Sequence, residues 1–141
     1  MDNDIVITRI DGEDEGIGEF INKEFSDYAR ANDVALNYND FCFAAKDEDG
    51  QIMGVITGRS YYDEVHIVDL IVNRNCRRSG LGSRLVKTVE ESFLNRGYKV
   101  ITLTTFGFQA PEFYKKLGYK LEFVRENSDP KISKYFFRKE L

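Results

Sequence analysis

The sequence predicts a single α/β domain of the α+β kind, residues 1–141, with a mixed, mostly antiparallel sheet of six or seven strands flanked by helices. Three observations carry that expectation. Val65, Ile67, Val68, Leu70, Ile71 and Val72 form an apolar, largely β-branched run short enough to be a strand buried on both faces. Leu81, Leu85, Val89 and Phe93 then recur at helical spacing, with Val86 and Leu94 beside them and Lys87, Glu90, Glu91 and Arg96 on the wet face. After Gly97, Tyr98-Lys99-Val100-Ile101-Thr102-Leu103-Thr104 alternates as a strand, and a strand reached through a helical crossover lies parallel to the one before it. A chain of 141 residues, 42% of them hydrophobic, suffices for one core.

The remaining elements follow in order. Ile5 to Ile10 reads as a first strand, broken by Asp11-Gly12-Glu13-Asp14. Ile17, Phe20, Ile21, Phe25 and Tyr28 set an apolar helical stripe over about Asp14 to Asn32. The polar residues from Asn32 to Asp40 read as a loop. Phe41–Lys46 and Gln51–Gly58 are strands joined by Asp47-Glu48-Asp49-Gly50, whose Asp-Gly pair is a hairpin signal, and both should be antiparallel neighbours of the central strand. Ala110 to Leu117 is a short helix with Pro111 in its first turn, where a missing N–H costs nothing, and Gly118 ends it. Tyr119–Arg125 and Ile132–Lys139 form a terminal hairpin, and the aromatic run Tyr135-Phe136-Phe137 reads as a sheet edge through which a homodimer would pair.

Between the central strand and its helix lies Arg77-Arg78-Ser79-Gly80-Leu81-Gly82-Ser83. Two glycines at a strand-to-helix turn let backbone amides face outward, and the helix dipole places roughly half a positive charge there. Arg74, Arg77, Arg78 and Arg84 add formal charge, so the turn is a cradle suited to a diphosphate. It is not a P-loop, since the spacing and lysine of that motif are absent, and not a dinucleotide fingerprint, since the third glycine is missing.

Arg77-x-x-Gly80-x-Gly82, after a strand ending Leu70-Ile71-Val72 and before an amphipathic helix, resembles the coenzyme A signature of the GNAT N-acetyltransferase superfamily. Gln109-Ala110-Pro111-Glu112-Phe113-Tyr114-Lys115-Lys116-Leu117-Gly118-Tyr119 resembles that family's later helix. The two motifs cover roughly Phe41 to Leu121. The resemblance implies acetyl coenzyme A as co-substrate, direct acetyl transfer to a primary amine on a small molecule or peptide, and no metal. It implies cofactor contacts from Leu70, Ile71, Val72, Arg77, Arg78, Ser79, Gly80, Leu81, Gly82, Ser83, Gln109 and Tyr114. If the two parallel strands splay at their C-terminal ends, an extended pantetheine arm can add to the free backbone groups. A main-chain N–H near Leu70 to Val72, freed by a bulge, would face the acetyl oxygen as it becomes anionic.

Tyr114 aligns with the family tyrosine that lies near the sulfur and is the expected acid for the departing thiolate. His66, the only histidine, falls where some members carry a glutamate base, with Glu64, Asp69 and a water chain as rivals. Two departures stand out. The asparagine often found three residues before the alanine is Gly107, so Gln109 would have to supply a helix-start contact. The region before the second strand, which in the family helps bind the acceptor, is abbreviated.

Composition narrows the alternatives. Residues 1–72 hold 17 Asp and Glu against 5 Lys and Arg, and residues 73–141 hold 7 against 15, which suits an anionic cofactor on the basic half and a cationic acceptor drawn by the acidic one. No nucleic-acid-binding motif is present, and a pI near 5.1 opposes that function. No stretch is long enough to span a membrane and the first residues are acidic, so a cytoplasmic, non-membrane protein is expected. Cys42 and Cys76 form no metal-ligand spacing; Cys42 reads as core and Cys76 as exposed. The competing function is a non-catalytic acyl-coenzyme A binding or regulatory module, which needs the cradle but neither Tyr114 nor a base.

Overall fold

The computed structural model describes residues 4–141, which divide into two compact units, one ending at Leu36 and the other running from Asn37 to Leu141. The first holds helix α1, Glu15–Ala31. Asp14 caps it, its carboxylate accepting from the N–H groups of Gly16 (2.8 Å) and Ile17 (3.3 Å), which satisfies donors that the helix itself cannot. Lys23 pairs with Asp27 one turn on and holds that carboxyl below its ordinary value. Residues 5–10 form no strand, contrary to the sequence expectation. Their β-branched alternation supplies only propensity, and a strand also needs a ladder partner, which no described segment provides.

The second unit is a six-stranded sheet with two helices. Its elements are β1 (Asn39–Lys46), β2 (Ile52–Tyr61), β3 (Glu64–Val72), α2 (Leu81–Phe93), β4 (Val100–Phe106), α3 (Pro111–Lys116), β5 (Lys120–Arg125) and β6 (Lys134–Glu140). The strand order is β1-β2-β3-β4-β6-β5, and only the β3–β4 pair is parallel. The sheet is therefore mixed and mostly antiparallel, as the sequence leads one to expect. The Asp47–Gly50 hairpin forms, with the Asp47 carboxylate accepting from Asp49 and Gln51 and Gly50 at φ 80°. A second tight hairpin joins β2 to β3 at Tyr62, whose φ of 53° is left-handed, and Asn37 both accepts from the Tyr62 N–H and donates to its carbonyl.

Period-two alternation sends Ile56, Val65, Ile67, Ile101, Leu103 and Phe137 to one face of the sheet, where Leu85, Val86 and Val89 of α2 meet them. Burying Phe137 completely makes it a keystone, since removing such a ring typically costs 3–5 kcal/mol. Gly54 lets α2 close onto the sheet: a Cβ there would stand 3.1 Å from Leu85 Cδ1. α2 stops at Phe93 rather than Gly97, because Asn95 and Gly97 both take left-handed backbone.

Alternation also corrects two expectations. On β1 it turns Phe41, Phe43 and Ala45 toward the core, so Cys42 faces outward and is exposed, while Cys76 is half-buried. The aromatic last strand is no edge. β6 is paired on both sides, by β4 and β5, and the edges are β1 and β5.

Candidate active site

The site grows from a ladder that ends early. β3 and β4 pair only through Glu64↔Val100, Val65↔Ile101 and His66↔Thr102. Beyond His66 the two strands part, leaving facing backbone N–H and C=O groups without ladder partners. β3 is bulged just there: Thr57 of β2 pairs with Asp69 and Gly58 with Ile67, so Val68 is the extra residue. The bulge resets the alternation, turning Ile67 and then Leu70 and Val72 toward α2, with Asp69 and Ile71 on the other face. Gly58 is required at this point, because a Cβ would lie within 2.4 Å of both the His66 carbonyl oxygen and the Phe41 ring.

The opening is a cleft of about 520 Å³ lined by Thr57, Asp69, Leu70, Ile71, Thr105 and Tyr114 among others. Two further residues, Gln109 and Ala110, close one wall: the Gln109 side-chain oxygen accepts from the Phe106 N–H (2.9 Å), and the Thr105 hydroxyl accepts from the Ala110 N–H (3.3 Å). The Gln109 side-chain oxygen is thus engaged by its own loop. Gly107, where the family pattern often has asparagine, sits so close to the Pro130 carbonyl oxygen that a Cβ would stand 2.2 Å from it, which explains the glycine.

Tyr114 of α3 enters from the core side. It is 7% exposed, packed against Phe113, Tyr119 and Phe137, and burial pushes its phenol up to about 12. No buried polar side-chain atom lacks a partner among the described residues, and no described group bonds the Tyr114 hydroxyl. The hydroxyl is therefore the open end of the ring, at the cleft it lines.

At the C-terminal end of β3 the chain passes through a single 3-10 turn, Arg74–Cys76, capped by the Asn73 side chain, and enters α2 at Gly80. Gly80 has φ 82° with open space around it, a backbone state glycine takes without strain. No side chain caps α2, so its first-turn amides beyond the Arg84 N–H, which bonds to the Gly80 carbonyl, have only solvent or a ligand to serve. Gly82 has a different reason: a Cβ would meet Phe113 of α3 at 3.3 Å and Val72 at 3.8 Å. Among the described residues no carboxylate pairs with Arg74, Arg77, Arg78 or Arg84. An uncapped helix N-terminus ringed by unneutralised arginines, opening beside an unpaired strand edge, fits an extended ligand with an anionic end.

The sequence-derived residues therefore fall into two places. Leu70, Ile71, Gln109 and Tyr114 line the cleft, and Arg77, Arg78, Ser79, Gly80, Leu81, Gly82 and Ser83 form the turn above it, with Val72 between. His66 is not among the cleft-lining residues. It sits at the last ladder pair, in an adjoining hollow of about 350 Å³, where its Nδ1 lies 2.8 Å from the Thr102 hydroxyl. Burial holds its pKa below the ordinary histidine value, with Glu64 opposing and Arg59 and Lys134 assisting that shift. Glu64, one of its rivals, is in the same hollow, whereas Asp69 lines the cleft and accepts from the Thr57 hydroxyl at 2.9 Å. The Asp69–Thr57 pair was legible only as a carboxylate needing a partner.

Comparison with known proteins agrees with this geometry. Residues 10–119 match the family model described as the acetyltransferase (GNAT) family. The chain belongs to that family, one of acetyl-coenzyme-A-dependent acyltransferases. It is 35% identical over 98 residues to the blasticidin-S acetyltransferase of Streptomyces morookaense, spanning 67% of this chain and 70% of that protein. It is 33% identical over 82 residues to an uncharacterized N-acetyltransferase of Methanocaldococcus jannaschii, covering 56% of this chain and only about half, 53%, of that relative. A crystal structure of an acetyltransferase from Bacillus cereus superposes with a TM-score of 0.78 at 34% identity, covering 95% of this chain and 98% of that one. Among the described residues no helix is long and apolar enough to cross a membrane, and no cluster of metal-ligating side chains occurs.

Proposed function

We propose that this chain is an acetyl-coenzyme-A-dependent N-acetyltransferase that acetylates a primary amine by direct transfer. The observation that carries the reading is the early end of the β3–β4 ladder, which opens a cleft along β3, the strand that leads through an arginine-bearing turn into the uncapped N-terminus of α2. The first-turn amides of α2, with Arg77 and Arg78, hold the diphosphate, and the free edge of β3 near Leu70 to Val72 receives the amide-bearing arm. Bound acetyl coenzyme A supplies an acetyl group activated as a thioester.

The chain's own residues do the rest. The bulge at Val68 re-aims the backbone of β3 so that a main-chain N–H can meet the carbonyl oxygen where negative charge gathers. Asp69, steadied by Thr57, offers a carboxylate to an incoming ammonium. Tyr114 donates from its phenol to the departing sulfur. Burial pushes the phenol up to about 12, well above a thiol of reference pKa ~8.5, so the phenol keeps its proton and meets the departing thiolate as a hydrogen-bond donor, and the thiolate takes its proton from water. The likeness to a blasticidin-S acetyltransferase favours a small-molecule amine over a protein side chain.

The test is a panel of amines incubated with acetyl coenzyme A while thiol release is followed. Amine-dependent release with acetylated product supports the reading. Tight cofactor binding with no turnover on any amine replaces it with a non-catalytic acyl-coenzyme A binding module.

A further inference from the structure

The hollow beside the cleft contains a hydrogen-bond chain whose directions are fixed by donor count. Glu64, as a carboxylate, can only accept, and it does so from the Tyr61 hydroxyl at 3.2 Å and from the Thr102 hydroxyl. A threonine hydroxyl carries one proton. Having given it to Glu64, Thr102 can only accept from His66 Nδ1, 2.8 Å away. The neutral imidazole must then carry its proton on Nδ1 and leave the Nε2 lone pair open.

We propose that Glu64 and Thr102 are positioning residues that lock His66 in the Nδ1–H tautomer, so that its Nε2 receives the proton the acceptor ammonium gives up. The second half of this statement rests on the amine-acetylation reading; the tautomer does not. The route is short. Leu103 and Thr104 line both the hollow and the cleft. The hollow that holds the ring is thus continuous with the cleft past Thr104, on the same face of β4 as Thr102 and about 6.6 Å from it by strand rise. The link from the cleft to Nε2 is a water in that space rather than the Thr102 hydroxyl, which is taken up by Nδ1 and Glu64. The step balances: the ammonium N–H breaks, an Nε2–H forms through that water, and the imidazolium later returns the proton to bulk water. The groups facing His66 are Arg59 and Tyr61 from β2, Glu64 from its own strand, Thr102 from β4, Glu122 from β5, and Lys134 and Arg138 from β6. Arg138 is engaged by Glu122 and Glu140, so Glu64 is the one carboxylate of the hollow that no cation neutralises among the described residues.

Because the chain has one histidine, nitrogen NMR of the intact, 15N-labelled protein reads this ring without ambiguity. Above the ring's pKa, wild type should show a protonated Nδ1 and an unprotonated Nε2. Thr102→Val should move the proton wholly or partly to Nε2, Thr102→Ser should restore Nδ1–H, and Glu64→Ala, which frees the Thr102 proton to point at Nδ1, should act like Thr102→Val. An Nε2–H ring in wild type, or one unmoved in both Thr102→Val and Glu64→Ala, overturns the lock. For the function, the low-pH limb of kcat/KM should be lost or displaced in Thr102→Val and kept in Thr102→Ser. An unchanged limb in a Thr102→Val protein whose tautomer has moved overturns the proton-receiving role. Absence of turnover on every amine overturns the acetylation reading and the role with it, while the spectra still decide the lock.

Discussion

Gly82 lies against Phe113: a Cβ on the glycine would stand 3.3 Å from the Phe113 ring, across the junction of α2 and α3. The two glycines of the signature thus serve different ends. Gly80 sets a left-handed turn in open space, and Gly82 lets two elements of the site approach each other.

That difference separates their variants. Gly80→Ala must either bear a strain of about 1–2 kcal/mol or swing the turn out of its left-handed state, which misaims the first-turn amides. With the turn swung out, cofactor affinity should fall about tenfold or more and Tm only slightly. Gly82→Val should lower both, because Phe113 has to move first. Calorimetric titration and thermal melts of the two proteins check this, and equal effects on Tm would contradict the division.

Charge in the cradle should be visible in salt dependence. Arg77 and Arg78 have no carboxylate partner among the described residues, so their charge is available to a diphosphate. Arg77→Gln and Arg78→Gln should each weaken cofactor binding several-fold, and the double variant should flatten the dependence of affinity on ionic strength. An unaltered slope would place the diphosphate elsewhere.

The phenol of Tyr114 makes a kinetic prediction of restricted size. Since burial raises it to about 12, the proposed role at the departing sulfur is that of a hydrogen-bond donor. Tyr114→Phe should then lower kcat by roughly ten- to a hundredfold, toward the lower end of general acid catalysis, with little change in cofactor Kd. Wild-type turnover would remove the role.

Much of this was legible in the residues. The central strand, the arginine-glycine turn and the amphipathic helix each obey one period and carry their own punctuation, and the structure keeps all three, with the helix ending at Phe93, short of Gly97. The parallel β3–β4 pairing followed from the crossover rule. What escaped was non-local. Ile5 to Ile10 had strand propensity without a ladder, β6 had an edge-like composition but an interior place, and Cys42 had apolar neighbours in sequence yet faces outward because alternation puts those neighbours on the other side. His66 is the instructive case: its strand was right, but the last ladder pair divides it from the cleft, and no sequence pattern marks where parallel strands stop pairing.

A partly buried polar bridge ties α2 and the end of α3 to the last strand. The Tyr119 hydroxyl donates to Glu90 of α2 at 2.9 Å, and Lys139 of β6 donates to the same carboxylate at 3.1 Å and to the Leu117 carbonyl at 2.8 Å. Burial, then Glu90, raises the Tyr119 phenol, so it stays a donor throughout the working range. Glu90→Leu strands both a phenol and an ammonium and should destabilise by about 1–3 kcal/mol, whereas Tyr119→Phe, which leaves Glu90 its lysine, should cost about 1 kcal/mol. Denaturant midpoints with unchanged m-values measure both, and a larger loss from Tyr119→Phe would reverse the assignment of Glu90 as the hub.

The pH profile follows from the direction of the His66 shift. Burial, with Arg59 and Lys134, disfavours the imidazolium more than Glu64 favours it, so the ring is neutral to a lower pH than a free histidine of pKa ~6.5. A proton acceptor works only when neutral. kcat/KM should therefore rise with pH through one apparent pKa below about 6.5 and be flat above it, until other groups titrate. His66→Gln should abolish that limb and lower the plateau by roughly ten- to a hundredfold, since an amide accepts no proton. Glu64→Gln removes the charge that supports the imidazolium, and should push the limb to still lower pH. The rate profiles of the three proteins, measured at one ionic strength with the best acceptor of the panel, decide the matter. A limb that survives in His66→Gln belongs to another group, and Asp69, already in the cleft with Thr57, is then the residue to replace.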